Sequence, residues 1–369
     1  MKYISKTLTY LVLTTLCACL LPSCSKHHKV LVEDQIVLGA YSVSTKAIVS
    51  GKQSLIDQCG ANGGFGVYGY KLYGNESYRL FNNVKVTPES SSENTSWTYS
   101  PTRYWDSNPQ AIYQFVAYWP WVPDAAPETG DEYVTYVTEE NSVLTIHDIP
   151  NWQDSISAND FMTDVARGHY RGQTDVVFGS GTVTFTFRHL LAKVVIRAYY
   201  TGVETKVIKI HSLNLKPSDA QHMPMADGTI NCSRTFGGQT GAEITLSTPT
   251  AASSMDFSKE LLNNTEGVSL QGAYYDGSGA APAENTKHVC SWLTAPSANW
   301  DKLNVDVTYS VDGVQTTGTA HNLTLGETQS GYQYVVTLKI TAASGIELES
   351  VQVKKWMDGG VFNPFVYNW

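Results

Sequence analysis

Residues Gly181–Tyr200, GTVTFTFRHLLAKVVIRAYY, decide how the rest of this chain is interpreted. Val183, Phe185 and Phe187 alternate with threonines, so one side of the segment is apolar and the other carries hydroxyl groups. A period of two residues, dominated by β-branched and aromatic side chains, predicts a strand with one buried face. The alternation is interrupted at Leu190–Lys193 and then resumes. We therefore predict one long strand, or two strands in line, at the boundary between two β domains.

The composition indicates an extracellular β protein. The chain has 369 residues, which is enough for two domains with their own cores. Aromatic residues make up 11% of it and charged residues only 16%, a balance that favours an all-β extracellular protein over a cytosolic enzyme. The formal net charge is −9 at pH 7, and loss of residues 1–23 with their two lysines leaves −11. An acidic surface disfavours nucleic acid as a partner.

Residues 1–23 are predicted to be a lipoprotein signal peptide. Two lysines precede the apolar stretch Leu8–Leu21, and the small residue Ser23 directly precedes Cys24. This arrangement resembles the bacterial lipobox, in which the cysteine is acylated and becomes the new N-terminus. Leu16-Cys17-Ala18-Cys19 is a second candidate, and a plain secretory peptide is the alternative. We expect an outer-membrane lipoprotein with its acyl chains on Cys24, anchored to the membrane without spanning it.

Short strand-like segments separated by turn signals fill the rest of the chain. They are Ile36–Val43, Tyr78–Val86, Trp97–Tyr99, Ile112–Trp119, Val143–Ile149, Asp160–Arg167, Val207–Leu215, Ile244–Leu246, Val268–Leu270, Leu303–Ser310, Val314–Thr319, Tyr332–Ile340 and Leu348–Trp356. Asp312-Gly313 gives the strongest hairpin signal. Helical periodicity extends nowhere over more than about three turns. The pattern predicts two tandem β-sandwiches, an N-terminal domain over residues 24–180 and a C-terminal domain over residues 181–369.

The motifs of catalysis are missing from the sequence. Gly64, Gly66 and Gly69 have the spacing of a dinucleotide-binding loop, but they lie in an aromatic, strand-like segment and not between a strand and a helix. We expect them to allow close packing of a β-bend. HExxH, Walker and GxSxG motifs do not occur. We predict no enzyme activity, no cofactor and no metal, and expect His189 to be a hydrogen-bonded structural residue. A glycosidase that assembles distant carboxylates is the enzyme alternative.

Three cysteines remain once the signal peptide is removed and Cys24 is lipidated. They are Cys59, Cys232 and Cys290, and an odd number allows at most one disulfide within the chain. Cys232 and Cys290 form a possible pair because both lie in the second half. Free buried thiols are the alternative.

Seven motifs follow one another in a set order. They are LPSCSK, GGFGVYGY, WTYSPTRYW, FVAYWP, DFMTDVARG, FTFRHLLAKV and VKKWMDGG. In this order and at these separations they resemble the fimbrillin family of Bacteroidales, the lipoprotein precursors of type V pili. The resemblance covers essentially the whole chain after Cys24. It implies two transthyretin-like β-sandwiches and a structural function, in which subunits polymerise into surface fimbriae that support adhesion.

The resemblance also implies a mode of assembly. In that family a trypsin-like protease removes the first strand after a basic residue, and the C-terminal strand of a neighbouring subunit fills the groove, which is β-augmentation. Lys46 occupies the matching position, where the family usually has Arg. The candidate donor strand is the segment 361–369, whose side chains on one face are Val361, Phe365, Tyr367 and Trp369. The alternative is that this segment forms an edge strand of its own second domain, where Pro364 is better tolerated.

The expected partners are other pilus subunits, of the same or a related chain, and the outer membrane through the lipid. A host or bacterial surface ligand is a further expected partner. The alternative function is a monomeric surface lipoprotein that binds glycans through its aromatic loops, Tyr99–Trp105 and Pro120–Pro123.

Overall fold

The computed structural model describes residues 34–42, 51–61, 63–124, 135–153, 160–170, 178, 181–219, 221, 228–237, 244–248, 258–276, 285–296, 301–341, 345–355 and 365–367. Nearly all regular structure in these ranges is β, which confirms the predicted all-β class. The helix is α1 (Gly51–Ala61). Within the same ranges, no helix is both long and apolar enough to cross a bilayer.

The strands of the first half are β1 (Val37–Ser42), β2 (Phe65–Tyr73), β3 (Glu76–Pro88), β4 (Trp97–Tyr99), β5 (Ile112–Trp119), β6 (Tyr136–Glu140), β7 (Val143–Pro150), β8 (Trp152–Gln153), β9 (Met162–His169), β10 (Thr182–His189) and β11 (Ala192–Thr201). Those of the second half are β12 (Ile208–Pro217), β13 (Thr229–Thr235), β14 (Ile244–Leu246), β15 (Lys259–Ser269), β16 (Lys287–Thr294), β17 (Leu303–Val311), β18 (Val314–Leu323), β19 (Tyr332–Thr341), β20 (Gly345–Lys355) and β21 (Phe365–Tyr367).

The segment Gly181–Tyr200 forms two strands that belong to different sheets. β10 lies in a seven-stranded sheet and β11 in a six-stranded one. The break falls at Leu190 and Leu191, which are both buried. The Leu190 amide donates to the carbonyl oxygen of Phe161 at 2.8 Å, and the Gly331 amide donates to that of Leu191 at 3.0 Å. The interruption in the sequence pattern therefore marks the point where the chain passes from one sheet to the next.

The seven-stranded sheet has the order β1-β10-β9-β5-β2-β3-β4. β1 runs parallel to β10, and the other neighbouring strands pair antiparallel. One face encloses what we call the first core, which includes Ile36, Leu38, Leu55, Ile56, Phe65, Phe81, Trp105, Tyr113, Phe115, Trp119, Phe185 and Phe187. The edge strands β1 and β4 come into contact, so the sheet curls around this core.

A four-stranded sheet of order β14-β13-β7-β6 covers the other face of β2, β5 and β9. Between the two sheets lies the middle core, which includes Tyr68, Tyr118, Leu144, Ile146, Phe161, Leu190, Leu191, Ile230 and Cys232. Strands β13 and β14 come from the second half of the chain, whereas β7 and β6 come from the first. Residues Gln35–Trp369 accordingly group as one compact unit. The boundaries at 180 and 181 stay a prediction.

The second sandwich consists of a six-stranded sheet, β21-β20-β19-β11-β16-β8, and a four-stranded sheet, β15-β12-β17-β18. The second core between them includes Val194, Ile196, Ile210, Leu213, Cys290, Trp292, Val305, Val307, Val336 and Leu338. The predicted hairpin joins β17 and β18, and Asp312 and Gly313 have φ angles of 48° and 83°. Two successive positive φ angles are those of a turn that matches the twist of the flanking strands.

Two glycines of the 64–69 segment, Gly66 and Gly69, pack against aromatic rings. A Cβ atom on Gly66 would lie 2.3 Å from the ring of Tyr118, and one on Gly69 would lie 2.6 Å from that of Phe115. Both glycines lie within β2. They therefore allow close contact between neighbouring strands and form no phosphate loop.

Candidate functional site: the first strand and the C-terminal strand

The first strand, β1, and Ile36 directly before it place alternate side chains in the first core. Ile36, Leu38 and Ala40 are buried, whereas Val37 is 43% exposed. The alternation follows from the geometry of a strand, whose successive side chains point to opposite faces. β1 therefore supplies an apolar row to the inside of the sheet and a solvent-facing row to the outside.

β1 is an edge strand, and β10 is its neighbour in the sheet. The parallel register sets Leu38 level with Val183 and Ala40 level with Phe185. These four side chains all point into the first core. Loss of β1 would expose the side of the first core that Leu38 and Ala40 cover, together with the backbone edge of β10.

Three hydrogen bonds hold the beginning of β1 in place. The Ile36 amide donates to the carbonyl oxygen of Arg103 at 2.9 Å, and the Val37 amide donates to that of Gly181 at 3.3 Å. The Tyr99 hydroxyl donates to the carbonyl oxygen of Ile36 at 2.6 Å. The segment that contains the WTYSPTRYW motif therefore fixes the first strand.

Helix α1 packs against β1 from inside the sheet. Leu55, Ile56 and Cys59 are buried in the first core beside the side chains of β1. The predicted processing residue, Lys46, comes between β1 and α1 in the chain and lies outside the described residues.

The aromatic loops serve mainly as core. Trp105 is buried, its ring stacks on Tyr170 at a centroid distance of 4.8 Å, and its Nε1 donates to the carbonyl oxygen of Gly181 at 3.1 Å. Tyr104 is the large side chain of this loop that stays 50% exposed. Trp121 of the other loop is half-buried and donates from Nε1 to the carbonyl oxygen of Asn83 at 3.2 Å.

The C-terminal strand β21 lies at the edge of the six-stranded sheet and pairs antiparallel with β20 of the same chain. Phe365 is opposite Val353, and Tyr367 is opposite Val351. Of the predicted donor residues, Val361 and Trp369 lie outside the described residues. The observed pairing is the edge-strand arrangement that the sequence left open beside the donor role.

The possible disulfide between Cys232 and Cys290 is not formed. Cys232 lies on β13 in the middle core, Cys290 lies on β16 in the second core, and both are free thiols. Burial raises the pKa of each thiol to about 12. Burial also raises the pKa of the free thiol of Cys59. The sequence favours the pairing because both cysteines lie in the second half of the chain. The two are nevertheless apart, because β13 joins the sheet that contains β7. Cys24 lies outside the described residues.

His189 is a structural residue, as predicted. Its Nδ1 lies 2.9 Å from Oδ1 of Asp160, and both side chains are buried. Lys193, on β11, is also buried, and this burial lowers the pKa of its ammonium group while the charge of Asp160 opposes the shift. These polar residues lie where the chain passes between the sheets, and the sequence pattern did not predict that Asp160 joins them.

A polar cavity of about 1100 Å³ lies against β12, β15 and β17 of the second sandwich. Its lining includes Lys209, His211, Asn263, Thr308 and Ser310. The ring of His211 contacts the hydroxyl of Ser310, with 2.9 Å between Nε2 and Oγ. Among the described residues, the lining contains no Phe, Tyr or Trp side chain. Across all the residues that the structure describes, no three His, Cys, Asp or Glu side chains come together as metal ligands would.

Comparison with known proteins gives a consistent result. A family model described as fimbrillin-like matches residues 45–356. The structure of a fimbrial protein from Bacteroides vulgatus is 18% identical, aligns over 88% of this chain and 99% of its own, and has a TM-score of 0.54. A proposed cell adhesion protein from Bacteroides uniformis is 20% identical over 88% of this chain and 98% of its own, with a TM-score of 0.45. No protein with a curated description matches. At this identity the Bacteroides vulgatus structure shows the fold alone.

Proposed function

The chain belongs to the fimbrillin-like family, and from that membership we propose that it is a structural subunit of a surface fimbrium assembled by donor-strand exchange. The precursor is a lipoprotein carried to the outer membrane by acyl chains on Cys24. A protease with trypsin-like specificity cuts after Lys46 and removes β1. The C-terminal strand of a neighbouring subunit then fills the vacated groove, and the fibre supports adhesion.

The observation that carries the proposal is the position of β1. An edge strand can leave without breaking the order of the remaining strands, and β1 has this position in the seven-stranded sheet. Ile36 and Leu38 are fully buried, and each contributes about 2 kcal/mol by burial of its side chain. Departure of β1 would leave an apolar slot and unpaired backbone groups on β10, which a new strand satisfies.

A single cut after Lys46 would have two consequences. Cys24 and β1 both precede Lys46 in the chain. The same cleavage therefore separates the subunit body from its lipid and frees β1 to dissociate. Release from the membrane and opening of the groove are coupled for this reason.

The test is a substitution at the processing residue in a bacterium that assembles these fimbriae. Lys46→Gln removes the basic side chain that a trypsin-like protease requires, whereas Lys52→Gln, six residues further on, is the matched control. We expect the Lys46→Gln chain to keep its full mass and to be absent from the isolated fimbriae. The control chain should be shortened at its N-terminus and incorporated. Fimbriae that contain uncut Lys46→Gln chains would contradict the proposal.

A second candidate function is a monomeric surface lipoprotein that binds glycans. The polar cavity beside His211 favours it, because hydroxyl, amide and imidazole groups suit a neutral polyhydroxylated ligand. The aromatic loops favour it less, since Trp105 is buried in the first core. Retention of the unprocessed monomer on a glycan array, lost in the Asn263→Ala variant, would support this second function.

A further inference from the structure

We infer that the groove vacated by β1 selects a strand with two aliphatic residues and one small residue on its inward face, and that this chain's own C-terminal segment does not fit it. The inference rests on the proposed function. Its consequence is that the neighbour that fills this groove is a different fimbrial subunit and not a second copy of this chain.

The shape of the groove follows from the side chains of β1 and of Ile36 directly before it. The inward row reads Ile36, Leu38 and Ala40, all buried in the first core. The outward positions place little restriction on the side chains of an incoming strand. Val37 is 43% exposed, and a Cβ atom on Gly39 would have ordinary contacts at 3.6 Å or more. Selectivity therefore resides in three alternate positions.

The third position is small because aromatic rings already fill the core at its level. Ala40 is level with Phe185 in the parallel register. The ring of Phe185 packs against those of Phe65 and Phe187, at centroid distances of 6.2 and 6.4 Å. Phe65 and Phe187 are themselves 5.5 Å apart. A large side chain at the place of Ala40 would have to displace this cluster, and overpacking of a tightly packed core is destabilising.

The helix α1 closes the groove from a second side. Leu55, Ile56 and Cys59 are buried in the same core and come after the predicted cut, so they remain with the subunit body. An incoming strand consequently meets a wall on the helix side as well as the aromatic cluster.

The C-terminal segment has the wrong side chains for this row. One of its faces reads Val361, Asn363, Phe365, Tyr367 and Trp369, and the other reads Phe362, Pro364, Val366 and Asn368. Any three successive positions on either face contain an aromatic residue, an asparagine or a proline. In neither strand direction do three successive positions on one face supply two aliphatic residues followed by a small one. Asparagine would be buried without a partner, and proline cannot donate to the strand ladder.

Peptide binding to the opened groove tests the inference with one folded body throughout. The chain from Ser25 onward carries the recognition sequence of a site-specific protease in place of residues 43–49, and is cut after folding. Four peptides then compete with labelled β1, as followed by fluorescence polarisation. They are residues 34–42, the same peptide with Ala40→Phe, residues 361–369, and that tail peptide with Phe365→Ile, Tyr367→Leu and Trp369→Ala.

We expect residues 34–42 and the altered tail peptide to displace labelled β1. The Ala40→Phe peptide and the natural tail should bind at least about 10-fold more weakly. A natural tail peptide that binds within about threefold of residues 34–42 would overturn the selectivity and leave the proposed function standing. If labelled β1 never exchanges with any peptide, no groove opens, and both the proposed function and this inference fail.

Discussion

The hydroxyl of Tyr99, on β4, donates a 2.6 Å hydrogen bond to the carbonyl oxygen of Ile36, the residue before β1. β4 and β1 are the two edges of the seven-stranded sheet, so this bond ties together opposite ends of one sheet. It also gives the first strand a connection besides its pairing with β10. Tyr99 is therefore a position at which the proposed release of β1 can be tested.

Replacement of Tyr99 by Phe should loosen the first strand. The change removes one hydrogen bond, worth about 1 kcal/mol, while keeping the ring that packs on Phe81. We expect β1 to leave the cut protein about fivefold faster, as measured by loss of a fluorescent label on β1. Tyr104→Phe, at a half-exposed ring in the same loop, is the control and should leave the release rate unchanged. Equal rates in wild type and Tyr99→Phe would show that this bond does not restrain β1.

Truncation of Leu38 should destabilise the uncut precursor strongly. Leu38 is buried in the first core, and replacement by Ala leaves a cavity there, at a cost of about 2–4 kcal/mol. Val37→Ala shortens a neighbouring side chain that is 43% exposed, and should change the stability by about 0.5 kcal/mol at most. Urea unfolding of both variants measures the difference. Similar losses for the two would mean that β1 does not pack as described.

The three thiols should be free and slow to react. The chain from Ser25 onward, unfolded in guanidinium without reductant, should titrate three thiols, because Cys59, Cys232 and Cys290 are unbonded. In the native protein at pH 8 the reaction should be very slow. The pKa of Cys232 and of Cys290 is raised from 9.0 to about 12, so the reactive thiolate is scarce until the pH approaches that value. A count of one thiol in the unfolded chain would establish a disulfide.

Deletion of residues 361–369 should separate the two roles of the C-terminal segment. The donor role predicts a monomer of nearly unchanged stability that no longer joins its neighbour in isolated fimbriae. The pairing of β21 with β20 covers three residues at a sheet edge, which is consistent with a small effect on stability. A loss of several kcal/mol on thermal unfolding would instead assign the segment to its own core. Undiminished incorporation into fimbriae would rule out the donor role.

Cys24→Ala should abolish lipid attachment. The thiol of Cys24 is the only group that the predicted lipobox offers for acylation, so the variant should accumulate as unlipidated precursor. Metabolic labelling with a fatty acid and fractionation of membranes measure this, with Cys59→Ala as the matched control. Normal labelling of the Cys24→Ala chain would refute the assignment and favour Cys19 of the second candidate, whereas an unlabelled wild-type chain would favour a plain secretory signal.

Local patterns were enough to predict the strands whose alternation is uninterrupted. The inward phenylalanines of β10, the apolar run of β5 and the Asp312-Gly313 turn all appear in the structure as the sequence indicated. Burial of one face and the φ angles of a turn depend on neighbouring residues in the chain, so they leave a readable period. The same reasoning identified Ile36–Val43 as the first strand.

Other elements lack such a period. β13 buries Cys232 and Arg234 at inward positions, so an apolar alternation is hidden by a charged residue. β16 is buried at several successive positions and has a register shift where it meets Arg197, so its pattern is not that of a half-exposed strand. Helix α1 has eleven residues, a length at which helical periodicity is hard to distinguish.

Sequence alone determined the all-β class and the interruption of the alternation at Leu190–Lys193, and it predicted that His189 is hydrogen-bonded. Only the tertiary structure decided that β13 and β14 join β7, that Cys232 and Cys290 lie in separate cores, and that β1 is an edge strand level with Phe185. The reason is physical. Strand formation depends on a residue's immediate neighbours, whereas the choice of a partner strand depends on apolar surfaces that distant parts of the chain bury together.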